Sequence, residues 1–167
     1  QGGITMIEMR RFKQALTPQE CAAVLERSTA GVLALIGDGG CPYAVPLSYV
    51  WLDGSVYFHF ALAGHKLDAV RRCEKASFCV IVQDQIVPEE YTTHFRSVIA
   101  FGRVRELTDE AERRTAALAL ARKYHPGDSE EHRQSYLDRS WASLCLLELR
   151  VEHLTGKQAR ELAEASS

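Results

Sequence analysis

The stretch VYFHFALAGHKL, residues 56–67, joins the end of a strand to the start of a helix. Its first half is aromatic and β-branched, and it follows Asp53-Gly54, a dipeptide that favours a tight hairpin turn. Its second half leads into residues 66–72, where apolar residues recur at helical spacing and arginines occupy the last turn. The stretch therefore predicts a strand over 55–60, a loop and a short crossover helix.

Two basic residues, His65 and Lys66, stand at the start of this predicted helix, directly after Gly64. A helix N-terminus carries partial positive charge and free N–H groups, so basic side chains are unfavourable there unless an anion joins them. A phosphate would reverse this, because glycine lets the backbone approach it and both side chains can add charge-assisted hydrogen bonds. The alternative, from these three residues alone, is a solvated basic turn.

Strand-like and helix-like segments alternate along the rest of the chain. Strands are predicted over residues 31–36, 43–51, 55–60, 76–83, 97–107 and 144–153. Helices are predicted from Thr17 to about Ser28, over 66–72, after a cap at Thr108 and after a cap at Ser129. The polar, proline-containing segment 84–94 is predicted to be a loop.

These elements predict a mainly β fold, in which peripheral helices pack around one antiparallel barrel. We expect a single domain over residues 9–160. The first eight residues place Gln1-Gly2-Gly3 before a methionine and are predicted to be an added or disordered segment, and residues 161–167 a C-terminal tail. Within the second predicted strand, Pro46 implies an edge, a bulge or an interrupted ladder, because proline has no N–H to donate.

The composition of the 167 residues favours a globular protein, with 46% hydrophobic and 25% charged residues and a formal net charge of -2. This charge gives the molecule no general attraction to nucleic acid or to an anionic membrane. We therefore expect neither as a partner. The start of the chain lacks a secretory signal and the five cysteines include no C-x-x-C pair, which favours reduced thiols and a cytoplasmic location.

Four motifs in order resemble the FMN-binding split-barrel superfamily, related to pyridoxamine 5′-phosphate oxidase, and especially its nitroimidazole-resistance branch. The run 56–67 is similar to the strand and loop that hold the FMN phosphate in that branch. The other three motifs are residues 31–34 with 42–49, residues 96–102 and residues 154–157. The resemblance implies a six-stranded antiparallel split β-barrel, a homodimer, and two FMN sites built from both chains.

The resemblance also implies the residues of the cofactor site. The second strand would lie along the flavin ring and Gly64, His65 and Lys66 would hold the phosphate, so the cofactor-binding candidates are Pro46, Leu47, Ser48, Tyr49, His59, Gly64, His65, Lys66 and Ser97. His59 would lie beside the flavin and is the catalytic candidate, because an imidazole can move a proton near neutral pH. The alternative for His59 is a structural histidine. His65 replaces a more usual arginine, which implies a weaker and pH-dependent phosphate contact.

Two functions remain open from the sequence. The first is an FMN-dependent oxidoreductase that passes electrons from a transiently bound reduced nicotinamide to a small organic, nitro-aromatic or similar, acceptor. The second is a flavin- or haem-binding storage or sensor protein without turnover. Oxidation of pyridoxamine phosphate is disfavoured, because Arg150 and His153 do not match the arginine–histidine pair that the oxidase pattern needs. No metal site is predicted, since His94, His125, His132 and His153 lack ligand spacing.

Overall fold

The computed structural model describes residues 12–164. The predicted N-terminal segment 1–8 and the last three residues of the predicted tail lie outside the described residues. The strands are β1 (Ala30–Ile36), β2 (Pro42–Ser48), β3 (Val50–Leu52), β4 (Ser55–Ala61), β5 (Lys75–Val87), β6 (Thr92–Glu106) and β7 (Leu144–Gln158). The helices are α1 (Pro18–Arg27), α2 (His65–Arg72), α3 (Glu110–Tyr124), α4 (Glu130–Ser140) and α5 (Arg160–Glu164).

Helix starts follow the capping residues that the sequence contains. Thr17 caps α1 in a full capping box with Glu20, and Ser129 caps α4, both as predicted. The predicted cap of α3 at Thr108 is wrong. The side chain of Asp109 accepts the N–H of Glu112 at 2.9 Å, so the helix begins one residue later. A carboxylate there also complements the positive helix end.

All described strands form one antiparallel sheet in the order β2-β1-β5-β6-β7-β4-β3. Its two end strands, β2 and β3, are separated in the chain by Tyr49 alone, so the sheet curls round until its ends meet. The predicted strand 43–51 is thus two strands with a break at Tyr49. The mainly β antiparallel split-barrel fold is confirmed, with seven strands instead of the six expected.

The segment 84–94, predicted to be a loop, is instead a continuation of the β5–β6 hairpin. Asp84 to Val87 pair with Thr92 to Phe95, and only a short turn at Pro88–Glu90 interrupts the ladder. Tyr91 at the tip has a positive φ of 50° and is 99% exposed. The prediction failed because both faces of this part of the hairpin are largely exposed, so its residues do not alternate between apolar and polar.

The inside of the curled sheet is the main core. Buried side chains from every long strand meet there, among them Leu33, Phe58, Phe78, Val98 and Leu149. A second, smaller core lies on the outer face of β3, β4 and β7, where α3 and α4 cover the sheet. The protein therefore has a filled barrel with a helical layer on one side.

A bulge between β6 and β7 lets the long strands coil. The pairing register shifts between Phe101 and Gly102, and a Cβ at Gly102 would lie 1.9 Å from the carbonyl oxygen of Arg150. Only glycine allows the two backbones to approach this closely.

Candidate functional site

Two unpaired strand edges diverge from Tyr49 and form a slot in the barrel wall. If the pairing of β3 with β4 continued beyond Tyr49, Ser48 would face His59. Instead β2 pairs with β1 alone, and the end of β4 pairs with β7 alone. The open edge of β2 runs from Ser48 to Pro42, about 20 Å at the usual rise of a strand. Each side of the slot is a strand edge on which alternate residues point unpaired backbone groups outward.

At the closed end of the slot, the hydroxyl of Tyr124, in the last turn of α3, contacts backbone groups of two neighbouring segments. This hydroxyl accepts the backbone N–H of Tyr49 at 2.8 Å and lies 3.0 Å from the carbonyl oxygen of the same residue. The same hydroxyl also contacts the carbonyl oxygen of Thr29, just before β1. The neighbouring ammonium of Lys123 lies 4.1 Å from the centre of the Tyr49 ring, and burial lowers the pKa of this lysine.

Most residues predicted for the cofactor site border this slot. Pro46, Leu47 and Ser48 lie on the open edge of β2, and Pro46 on an edge strand agrees with the sequence prediction. Tyr49 lies at the closed end with its side chain fully buried in the core, where its hydroxyl donates to the carbonyl oxygen of Leu25 at 2.6 Å. His59 lies opposite Ser48 with its side chain on the outer face of β4.

The start of α2 lies at the far end of the slot. Gly64 has a φ of 131°, a conformation that favours glycine, and no atom lies within 4 Å of where its Cβ would be. The first helical hydrogen bonds are donated by Leu67 and Asp68 to the carbonyl oxygen of Gly64. The N–H groups of His65 and Lys66 precede these bonds and are therefore available to an anion.

The two basic side chains at this helix start point to different partners. The ammonium of Lys66 lies 5.2 Å from the centre of the Phe60 ring, beside β4. The Nδ1 atom of His65 lies 3.9 Å from a carboxylate oxygen of Asp38, which also pairs with Arg72. Of the two, Lys66 is free of an acidic partner among the described residues, whereas His65 already has one.

A cavity of about 320 Å³ lies between the outer face of the sheet and helices α3 and α4. We call it the α3–α4 cavity. Most of its lining is apolar: Ala117, Leu120, Ala121, Leu137, Leu144 and Leu146. Its polar lining residues are Ser48, His59, Tyr124, Tyr136 and Ser140. The cavity therefore opens beside the closed end of the slot, because Ser48 of β2 and His59 of β4 both line it.

Ser97 lies far from the slot of its own chain. It pairs with Lys157 of β7, whereas His59 pairs with Leu146 of the same strand, eleven positions away. At the rise of a strand this separation is about 36 Å along β7. Ser97 and its neighbour Ile81 lie on the outer face of the sheet, because Val98 and Val80 beside them point into the core.

A buried carboxylate, Glu148, lies on β7 under the start of α3. It accepts hydrogen bonds from Ser55 at 2.8 Å and from Arg105 at 2.6 Å, and Arg105 also binds Glu112 of the helix. Burial alone would raise the pKa of Glu148, but these hydrogen bonds and the charges of Arg105 and Arg150 outweigh it and lower the pKa. The network fixes α3 to the sheet.

Sequence reasoning missed Tyr124 and Glu148. Ala117, Leu120, Ala121 and Tyr124 recur at helical spacing in the sequence, and all four line the α3–α4 cavity. No pattern in the sequence connects Tyr124 to Tyr49, 75 residues away. Three of the four remaining histidines contact nearby carboxylates: His94 contacts Glu90, and both His125 and His132 contact Asp128. The fourth, His153, lies opposite Phe101 of β6, with 6.4 Å between the ring centres. Within residues 12–164 no three potential metal ligands cluster.

A curled antiparallel sheet that divides at Tyr49, with the start of α2 at the far end of its open edges, defines a split-barrel protein. The sequence profile of the pyridoxamine 5′-phosphate oxidase family matches residues 17–158, and the chain belongs to this family. None of the curated proteins matches the sequence. No helix among residues 12–164 is long and apolar enough to cross a membrane.

Solved structures share this fold. A candidate 5-nitroimidazole antibiotic resistance protein from Bacteroides thetaiotaomicron is 21% identical, with a TM-score of 0.75 over 86% of this chain and 85% of its own. A FAD-binding protein from Mesorhizobium loti is 26% identical, with a TM-score of 0.62 over 87% and 95%. A FAD and haem binding protein from Mycobacterium smegmatis is 20% identical, with a TM-score of 0.72 over 93% and 80%.

Proposed function

We propose that this chain binds a flavin, FMN, in the slot and passes electrons from a reduced nicotinamide to a small organic acceptor. One observation carries the proposal: the slot has Ser48 and His59 at its closed end and the start of α2 at its far end. A flavin needs both a flat slot for its ring and an anion site for its phosphate, while the redox chemistry belongs to the cofactor.

The residues at the start of α2 fit a phosphate group. Gly64 leaves open space beside the backbone, and the first N–H groups of the helix can donate to phosphate oxygens. Lys66 supplies a positive charge next to them. His65 is a weaker candidate, because Asp38 competes with the phosphate for its side chain.

At the other end, the open edge of β2 fits the polar edge of the flavin ring. Alternate residues of an edge strand point their backbone groups away from the one partner strand, so part of the backbone of Pro46, Leu47 and Ser48 faces the slot unpaired. Proline has no N–H, so Pro46 can offer only its carbonyl oxygen. We place the ring here because backbone groups on this edge can bond to its polar atoms.

His59 is the proposed proton donor to the acceptor. Its side chain lies in the α3–α4 cavity beside the closed end of the slot. In the overall reaction a hydride leaves the reduced nicotinamide, and the acceptor takes up the two electrons together with two protons. One proton is that of the hydride or its equivalent from solvent, and His59 delivers the other and is reprotonated by water.

We further propose that the protein is a homodimer. The outer face of β1, β2, β5 and β6 carries apolar side chains that the single chain leaves open: Val32 is 39%, Ile36 42% and Ile81 64% exposed. A second copy would cover this face, with an interface of about 2,000 Å² or more in total. Ser97 lies on the same face and could therefore reach a flavin only in the slot of the partner copy.

The decisive experiment is the absorption spectrum of the freshly purified protein, followed by anaerobic addition of NADH or NADPH. A flavin absorbs near roughly 375 and 450 nm and a haem near roughly 400 nm. We expect flavin bands that bleach with the nicotinamide and return on addition of an acceptor. Chromatography of the released cofactor then distinguishes FMN from FAD.

Two results would contradict the proposed activity. Flavin bands that no reduced nicotinamide bleaches would favour a binding protein without turnover. A haem band without flavin would favour the alternative that the haem-binding protein from Mycobacterium smegmatis suggests. Absence of any bound cofactor, with none taken up from added FMN or FAD, would reject the flavin site itself.

A further inference from the structure

We infer that the α3–α4 cavity is the binding site of the acceptor and that it selects neutral, mainly apolar molecules of one or two rings over charged ones. The inference rests on the proposed function for the role of its ligand as an electron acceptor. It goes further in naming the place where that ligand binds, its charge and its size.

The volume of the cavity sets the size of the ligand. Small-molecule sites in proteins usually measure about 300–1,000 Å³, and a closed cavity of about 150 Å³ is enough to hold benzene. At about 320 Å³ the α3–α4 cavity lies at the small end of this range. It therefore fits one ring with substituents, or two small rings.

The lining sets the charge of the ligand. None of the described residues that line the cavity carries a carboxylate, ammonium or guanidinium group. A cationic ligand would leave water without an opposite charge to meet it, and an anionic ligand would meet a positive charge only while His59 holds its extra proton. Either ion is therefore strongly unfavourable in the cavity when His59 is neutral. A neutral ring, by contrast, gains from contact with leucine and alanine side chains such as Leu120 and Ala121.

Three polar side chains in the cavity can form hydrogen bonds that orient such a ligand. Ser140 donates to carbonyl groups of its own helix, and the hydroxyl of Tyr124 is held at Tyr49. The side chains of Ser48, His59 and Tyr136 make no hydrogen bond to another described residue. All three are uncharged or can be uncharged, and each can bond to a polar group on a neutral ligand.

The position of the cavity ties it to the redox site. Ser48 and His59 belong both to the cavity lining and to the two edges of the slot. A ligand in the cavity therefore contacts the proposed proton donor directly. The helices α3 and α4 form the opposite wall, so they determine which acceptors can enter.

The test uses three probes that share a 4-nitrophenyl ring: 4-nitrobenzyl alcohol, which is neutral, 4-nitrobenzoate, which is anionic, and (4-nitrobenzyl)trimethylammonium, which is cationic at every pH. Binding to the purified protein, with whatever cofactor it carries, is measured by isothermal titration calorimetry at pH 8. We expect the alcohol to bind and both ions to bind at least about a hundredfold more weakly. Equal affinity for the alcohol and either ion would overturn the inference.

Two substitutions on α3 test the location. Ala121→Phe fills the cavity, whereas Ala111→Phe places the same side chain at an exposed position of the same helix outside it. We expect Ala121→Phe to weaken binding of the alcohol at least about tenfold and Ala111→Phe to leave it unchanged. Thermal unfolding of both variants checks that they fold. Unchanged binding in a folded Ala121→Phe protein would overturn the inference.

A positive charge introduced into the wall of the α3–α4 cavity provides an independent test, in which the expected result is tighter binding of the anionic probe. Tyr136 is 60% exposed, so Tyr136→Arg should fold and place a positive group at the cavity. We expect binding of 4-nitrobenzoate to tighten at least about tenfold, and no such gain with Ser135→Arg on the exposed side of α4. No gain with Tyr136→Arg would contradict the assigned cavity.

These outcomes are distinct from those that test the proposed function. If the protein holds no flavin but binds the neutral probe in an Ala121-dependent way, the proposed activity fails and the selectivity of the cavity is supported. If a reducible flavin is present but the three probes bind alike, only the cavity inference is overturned.

Discussion

The hydroxyl oxygen of Tyr124 lies 2.8 Å from the backbone nitrogen of Tyr49 and accepts its hydrogen bond. This contact joins the last turn of α3 to the residue at which the sheet divides. Because the Tyr49 side chain is fully buried, this part of the backbone depends on protein groups for its hydrogen bonds. The helical layer therefore stabilises the closed end of the slot.

Removing this hydroxyl should loosen the slot. We expect Tyr124→Phe to lower the free energy of unfolding by about 1–3 kcal/mol, since it leaves the N–H of Tyr49 without its partner. We also expect weaker retention of flavin. Urea unfolding and flavin release measure the two effects. Tyr91→Phe, at a 99% exposed site, is the control, and equal small losses in both variants would show that the hydroxyl of Tyr124 adds nothing.

Lys66 should contribute to flavin affinity and not to turnover. We expect Lys66→Ala to weaken FMN binding roughly ten- to a hundredfold, which corresponds to one charge-assisted hydrogen bond of about 1.5–3 kcal/mol. The rate at saturating FMN should survive. The control is Lys75→Ala, an exposed lysine at the start of β5. If titration of the apoprotein with FMN gives the same affinity for both variants, the phosphate is held elsewhere.

His59, in contrast to Lys66, should contribute to turnover and not to flavin affinity. We expect His59→Ala to keep its flavin, while reduction of the acceptor slows about a hundredfold, the usual scale of general acid–base help. Stopped-flow reoxidation of the reduced flavin by an acceptor measures the rate per bound flavin. Loss of flavin in His59→Ala, with a normal rate for the fraction still bound, would make His59 a cofactor ligand only.

The Glu148 network should stabilise the protein in a pH-dependent way. The folded pKa of Glu148 lies below its ordinary value of 4.5, so its contribution is complete above about pH 4.5 and is lost as the pH falls through the folded pKa. We expect Glu148→Gln to cost about 1–3 kcal/mol at pH 7 and less at pH 3. Unfolding by urea at several pH values measures this, with the exposed Glu89→Gln as control. A cost that does not change with pH would contradict the assignment.

The proposed dimer can be tested with one charge. Ile81→Asp places a carboxylate on the open apolar face of the sheet, and we expect a monomer that has lost flavin. Ser135→Asp, on the exposed side of α4, should remain dimeric. Analytical ultracentrifugation at micromolar concentration separates the two results. A parent protein that is monomeric with full flavin occupancy would reject the shared site.

Local hydrogen bonds explain which elements the sequence could predict. The capping box of Thr17 and Glu20 and the cap at Ser129 involve residues three positions apart, so their patterns are visible in the sequence. The candidate cofactor residues on β2 and β4 come from a resemblance, and the structure places them along strand edges that no second strand pairs between Tyr49 and α2.

Long-range contacts explain what the sequence could not predict. The alternation of residues 43–49 continues through Tyr49 into β3, so nothing local marks the break; the break depends on α3 and on the pairing of β2 with β1. The α3–α4 cavity likewise needs five separate elements: β2, β4, β7, α3 and α4. The apolar face of α3 was predictable, but a gap between that face and β4 was not.

The pairing of β4 also determines how late in synthesis the barrel can be completed. Among the strands of residues 12–164, β4 and its partner β3 join the others only through β7, which comes last of these strands in the sequence. While a ribosome is still synthesising residues 144–150, the hairpin that carries His59 has no place in the barrel, and one wall of the slot does not exist. Such distant pairings form late and slowly. If the slot holds a flavin, as proposed above, the nascent chain cannot bind it before β7 has been made.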